Sequence, residues 1–141
     1  MQRCGIVIWL LCANAIVSCG DQDKPFVVSI SKGGGFTSLV QGCELRSDGM
    51  IIEWKQYAMG KREELGRKQV SSLRIRELAE RLLALESSDG VFGKPGNMTH
   101  KIAYTDVSDT LGWSWSIDDS VDLEWVEWYR NTREFCIDRT K

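Results

Sequence analysis

Thiols carry the most varied chemistry in this chain, since a cysteine can be acylated, oxidised to a disulfide or made into a metal ligand. Five are present, at positions 4, 12, 19, 43 and 136. The first three lie in or beside an uncharged stretch of fourteen residues, Gly5 to Ser18, which follows Arg3 and gives way to the polar, acidic Gly20-Asp21. One positive charge, a short apolar run and small residues before a polar start are the layout of a secretion signal. A membrane-spanning helix needs about 20 apolar residues and basic stop-transfer flanks. This stretch has neither, so it is set aside from the fold.

The run Ile16-Val17-Ser18-Cys19 resembles the lipobox of bacterial lipoprotein signal peptides. The resemblance implies that the Cys19 thiol is diacylated and becomes the first residue of the mature chain. Residues 1–18 are then a lipoprotein signal peptide and residues 19–25 a lipidated tether, polar and ending in Pro25. The competing route is ordinary cleavage after Ala15, at the small-x-small pattern Ala13-Asn14-Ala15. Lipidation consumes Cys19 and discards Cys4 and Cys12, leaving Cys43 and Cys136 as an even pair, whereas cleavage after Ala15 leaves an odd thiol. Lipidation is therefore the expected route. Each buried methylene of an acyl chain adds about 0.8 kcal/mol, so two or three chains make a lasting anchor. The domain is expected outside the cytoplasm, held to the outer or the cytoplasmic membrane of a bacterial cell envelope.

In that oxidising setting a Cys43–Cys136 disulfide is expected over two buried free thiols. It would close a loop of more than 90 residues and staple the C-terminal helix to an early strand, a constraint of about 4–5 kcal/mol in the chain-entropy account.

Other candidate chemistry is thin. His100 is the only histidine, and with no second histidine or free cysteine pair neither a zinc site nor a Ser/His/Asp or Cys/His triad assembles. Asp118, Asp119, Asp122, Glu124 and Glu127 do not have calcium-loop spacing and suit a capped, solvated helix. Gly33-Gly34-Gly35 is not a phosphate loop, because no lysine-serine or lysine-threonine pair follows it. No catalytic residue, metal or cofactor is expected, and the domain is not expected to be an enzyme. The mature chain of 123 residues carries 17 basic and 20 acidic side chains, a net charge of −3, with no basic stripe. Nucleic acid is thereby a poor partner. Asn97-Met98-Thr99 has the form of a glycosylation sequon and suggests an exposed loop.

Five tryptophans remain after residue 18, at 54, 113, 115, 125 and 128. Trp113 and Trp115 stand two apart on a strand and share a face, while Trp125 and Trp128 stand three apart on a helix and share a side. Strand packed on helix is the simpler outcome, and an exposed aromatic binding surface at Trp113 and Trp115 is the alternative.

The elements that must position these residues follow from periodicity. Alternation from Phe26 to Ser31 predicts a strand ending at the glycine turn, and a second strand is expected within residues 37–46. Ser47-Asp48-Gly49 is a hairpin turn into a third strand, Met50 to Tyr57. The charged segment Met59 to Lys68, broken by Gly60 and Gly66, reads as a loop with an edge strand around Arg67 to Val70. Ser71 or Ser72 caps a helix with Ile75, Leu78, Ala79, Leu82 and Leu85 on one stripe. A second hairpin spans about His100 to Val107 and Leu111 to Ile117, and Asp118, Asp119 or Ser120 caps a last helix through Phe135. The order β-β-β-α-β-β-α argues for a single α+β domain over residues 26–141, with an antiparallel sheet of about five strands and two helices on one face.

Within that order, a first strand ending Ser31-Lys32, then Gly33-Gly34-Gly35-Phe36-Thr37, then another strand, resembles emfourin, a family of small bacterial inhibitors of thermolysin-type metalloproteases. The resemblance in element order covers roughly residues 26–135, with Gly34-Gly35-Phe36 as its sharpest motif. It implies a non-catalytic binding module whose loop Lys32 to Thr37 enters a protease cleft, the glycines allowing close approach and Phe36 acting as the apolar anchor; the domain is expected to be a monomer. The anchor, the disulfide and the charged 60–68 segment depart from the family pattern. The second functional expectation is a cell-wall or glycan binder that uses exposed Trp113 and Trp115.

Overall fold

The computed structural model describes residues 24–36, 38–86 and 97–137. It has six strands, β1 (Phe26–Gly34), β2 (Leu39–Arg46), β3 (Met50–Tyr57), β4 (Glu63–Gln69), β5 (Met98–Asp106) and β6 (Thr110–Ser116). Helix α1 (Ser72–Glu86) joins β4 to β5, and α2 (Leu123–Cys136) follows β6. All six strands lie in one antiparallel sheet ordered β4-β3-β2-β1-β5-β6. The class is α+β, with one strand more than the five expected.

The extra strand is β4, in the segment expected to be mostly loop. Gly60 falls in the β3–β4 turn, where its N–H donates to the Tyr57 carbonyl at 2.8 Å. Gly66 pairs with Glu53 beside a register shift that leaves Leu65 unpaired, so the glycine marks a β-bulge rather than a break. Charge does not forbid a strand in this place. β4 pairs only with β3 and forms the sheet edge, where charged side chains discourage pairing with other chains.

Residues directly opposite across an antiparallel pair share a face. By register, Val28, Leu45 and Ile51 line up across three strands, as do Ile30, Cys43 and Ile102. These are buried to 2% exposure or less, and with Phe26 and Trp115 they make the sheet side of the core. The helix side comes from Ile75, Ala79 and Leu82 of α1 and Trp125, Trp128 and Tyr129 of α2. Leu78 and Leu85 pack at its border, so the stripe expected for α1 is the buried one. The Trp128 Nε1–H donates to the Leu78 carbonyl at 3.0 Å, tying the two helices together.

α2 begins later than the expected caps Asp118, Asp119 or Ser120 suggested. Asp122 is its N-cap residue and makes no side-chain cap bond, while the Asp119 carboxylate accepts from the Ser116 N–H and closes the turn leaving β6. At the other end of α2, Cys136 is disulfide-bonded to Cys43 of β2, with a Cα–Cα distance of 6.4 Å across 93 residues of sequence. Both cysteines are buried.

Candidate functional site

Two parts of the molecule gather the residues that could bind a partner. The first is the end of the sheet at the glycine triplet. β1 runs further than expected, since Gly33 and Gly34 are still paired with β2 and β5, and Gly35, Phe36 and Ser38 lie in the turn. Gly34 (φ 121°) and Gly35 (φ 75°) lie where side-chain-bearing residues are strained. The Ser38 N–H donates to the Gly35 carbonyl at 3.2 Å and closes the turn. Phe36 stands at its tip and is fully exposed, at 105% of its reference area. Thr37 lies outside the described residues.

Register places further apolar side chains at this end. Leu39 pairs with both Gly34 and Tyr57, so the exposed Tyr57 and the neighbouring exposed Met59 belong to the same rim. Exposed Ile117, directly after β6, joins them, its N–H bonded to the carbonyl of Met98, which pairs with Gly34. Beneath the turn, on the face without helices, is a cleft of about 300 Å³ bordered by Gly33, Gly34, Ser38, Thr99 and Lys101. The arrangement offers backbone for close approach and an apolar rim for contact.

The tryptophans do not form the exposed surface offered as the alternative. Trp113 and Trp115 share a face as their spacing requires, but that face is the one α2 covers. Trp115 is 4% exposed and packs edge-to-face on Tyr129, and partly buried Trp113 lies 5.3 Å from the Trp125 ring. Trp54 is on the other face, opposite Gly42. It is buried there beneath the Arg62 guanidinium, 4.1 Å above its ring, and Arg62 pairs with Glu44.

The second part was not legible as a site. Lys32 of β1, His100 of β5 and Trp115 of β6 are consecutive partners in the register, so they share the helix-covered face, and Lys32 turns away from the cleft under the glycine loop. With Tyr129, Arg130 and Arg133 of α2 they line an open cavity of about 310 Å³. The His100 ring stacks on Trp115 at 5.4 Å and meets Tyr129 edge-on at 4.8 Å, and its Nδ1 is buried with no hydrogen-bond partner. Burial, and then the positive charges of Lys32 and Arg133, hold the His100 pKa below its ordinary value. Burial raises that of Tyr129, against the opposing pull of Arg133. Arg130 and Arg133, three apart on α2, were not singled out in the sequence, although helical spacing puts them on one side.

Among the described residues no three His, Cys, Asp or Glu side chains are grouped to hold a metal, and no helix is long and apolar enough to cross a membrane. The expected lipidation site, Cys19, lies outside the described residues. No protein-family model matches the sequence, and no curated protein matches it either.

Proposed function

We propose that this protein is a lipid-anchored bacterial envelope protein whose domain is a non-catalytic binding module, engaging a protein partner through the glycine turn and Phe36. One observation carries this reading. A phenylalanine fully exposed at the tip of a closed glycine turn contributes nothing to the core and is presented as an anchor for a partner's pocket. Tyr57, Met59 and Ile117, all exposed at the same end, supply the surrounding contacts. The partner class is a thermolysin-type metalloprotease, following the resemblance of the Gly34-Gly35-Phe36 segment and the element order. Lys32 is assigned no contact with it, because its side chain belongs to the opposite face. A cell-wall or glycan binder built on Trp113 and Trp115 has less support, since those rings are packed against α2.

The test is inhibition of a thermolysin-type protease by the full-length protein in mild detergent, with Phe36→Ala alongside. Loss of an anchor residue costs about 2 kcal/mol or more, so the variant is expected to inhibit at least about 30-fold more weakly. Absence of inhibition by the wild type, or equal inhibition by the variant, overturns the assignment of partner or of anchor respectively.

A further inference from the structure

We infer that the cavity between β1, β5, β6 and α2 binds an organic carboxylate with an apolar or aromatic body, the carboxylate held by Lys32, Arg130 and Arg133 and the body lying against Trp115 and Tyr129. This is a site for a small ligand, separate from the protein-binding end. Three permanent cations line the cavity against one carboxylate, Glu134, in a domain that is acidic as a whole. The arginine guanidinium presents a planar fork that matches a carboxylate, and Arg130 and Arg133 present two of them from one side of α2. The remaining walls are aromatic and apolar, including Val126 and Ile137, which suits a ligand with one charged end rather than a bare inorganic anion. A volume of about 310 Å³ lies at the small end of ligand pockets.

His100 adds an independent mark. Its Nδ1 is buried without a hydrogen-bond partner, so the imidazolium, which carries a proton on both ring nitrogens, would bury an unsatisfied donor there. Trp115 of β6 and Tyr129 of α2 contact the ring, and the charged groups that line the same cavity are Lys32 of β1 and Arg130, Arg133 and Glu134 of α2. Its pKa is depressed in part by Lys32 and Arg133. A carboxylate bound to those cations offsets their field and raises that pKa, and by linkage the ligand binds more tightly as the pH falls.

Because His100 is the only histidine, its ring proton resonance reports on the cavity without assignment by mutation. The full-length protein, carrying isotope-labelled histidine and held in mild detergent, is titrated with 3-phenylpropionate and with acetyl-Gly-Gly-Phe, each beside its neutral amide as the control for partition into micelles. Either acid is expected to move the His100 signal and raise its titration midpoint, with the amides inert. A response to 3-phenylpropionate alone assigns a free small acid, and a response to the peptide assigns the free C-terminus of a polypeptide. Arg133→Gln is expected to weaken binding about tenfold or more, with partial recovery in Arg133→Lys. No response to either acid at millimolar concentration, or equal responses to acid and amide, overturns the proposal.

Discussion

His100 shows how one side chain acquires a property its type alone does not confer. Its ordinary pKa of 6.5 is lowered in the fold, first by burial and then by Lys32 and Arg133. Above the unfolded-state pKa the ring is neutral in both states and its contribution to stability does not change with pH. As the pH falls through about 6.5 the unfolded protein takes up the proton first, so stability declines until the folded ring is protonated as well. His100→Gln should flatten this part of the profile. Urea midpoints measured between about pH 7.5 and pH 5 decide the matter: a wild-type slope that survives in the variant would place the titrating group elsewhere. Trp54 shows the same dependence on surroundings. Its ring closes over Gly42, where an added Cβ would lie 2.7 Å from the indole, so an aromatic residue is buried on the face that no helix covers.

Among the elements, α2 is tied to the rest of the domain by three different kinds of contact. Its Trp125 and Trp128 enter the core, its Trp128 indole binds α1, and its last residue is bonded to β2. The Cys43–Cys136 bridge spans 93 residues, so its removal frees a long loop in the unfolded state. The double variant Cys43→Ala/Cys136→Ala is expected to lose about 4–5 kcal/mol on the chain-entropy account, read as a lower denaturant midpoint under non-reducing conditions. Wild type in reductant should match it. A loss under about 1 kcal/mol would mean that α2 is held by packing alone. β4 is the contrasting element, exposed along most of its length and paired on one side, with an exposed Glu64–Arg67 ion pair. Such a pair contributes little to stability, and its value lies in keeping the edge charged.

At the scale of the molecule, the direction of β1 relates the proposed anchor to the proposed binding end. The polypeptide enters the sheet at Phe26 and reaches the glycine turn at the far end of a nine-residue strand, about 27 Å away at the usual rise per residue. A lipid on Cys19, joined through the short 20–25 tether, would therefore leave Phe36 on the end of the domain remote from its attachment. Cys19→Ala is expected to shift the protein from the membrane fraction to a soluble or unprocessed form, and mass spectrometry of the wild type should find an acylated N-terminal peptide beginning at Cys19. An N-terminus at Ile16 would instead establish cleavage after Ala15 and rule out the anchor.

The amino-acid sequence by itself determined the α+β class, the position of β3 and of the stripe Ile75, Ala79 and Leu82, the β2–β3 and β5–β6 hairpins and the pairing of Cys43 with Cys136. All but the last depend on neighbouring residues: alternation along a strand, helical spacing along a helix, or a turn at Asp48-Gly49; the thiol pairing is expected from the lipobox resemblance, which leaves two of the five cysteines to pair. Only the tertiary structure decided that Glu63–Gln69 is a strand, because a charged segment becomes one through pairing with β3 and a bulge that absorbs Leu65. It also decided which face of the sheet the helices cover, and hence that Trp113 and Trp115 pack inward and that α2 starts at Leu123. The cavity at His100 is the furthest from local legibility. Lys32, His100 and Trp115 meet through the register of three strands, and Arg130 and Arg133 reach them from a helix that packs across that register, so no spacing along the sequence records the encounter.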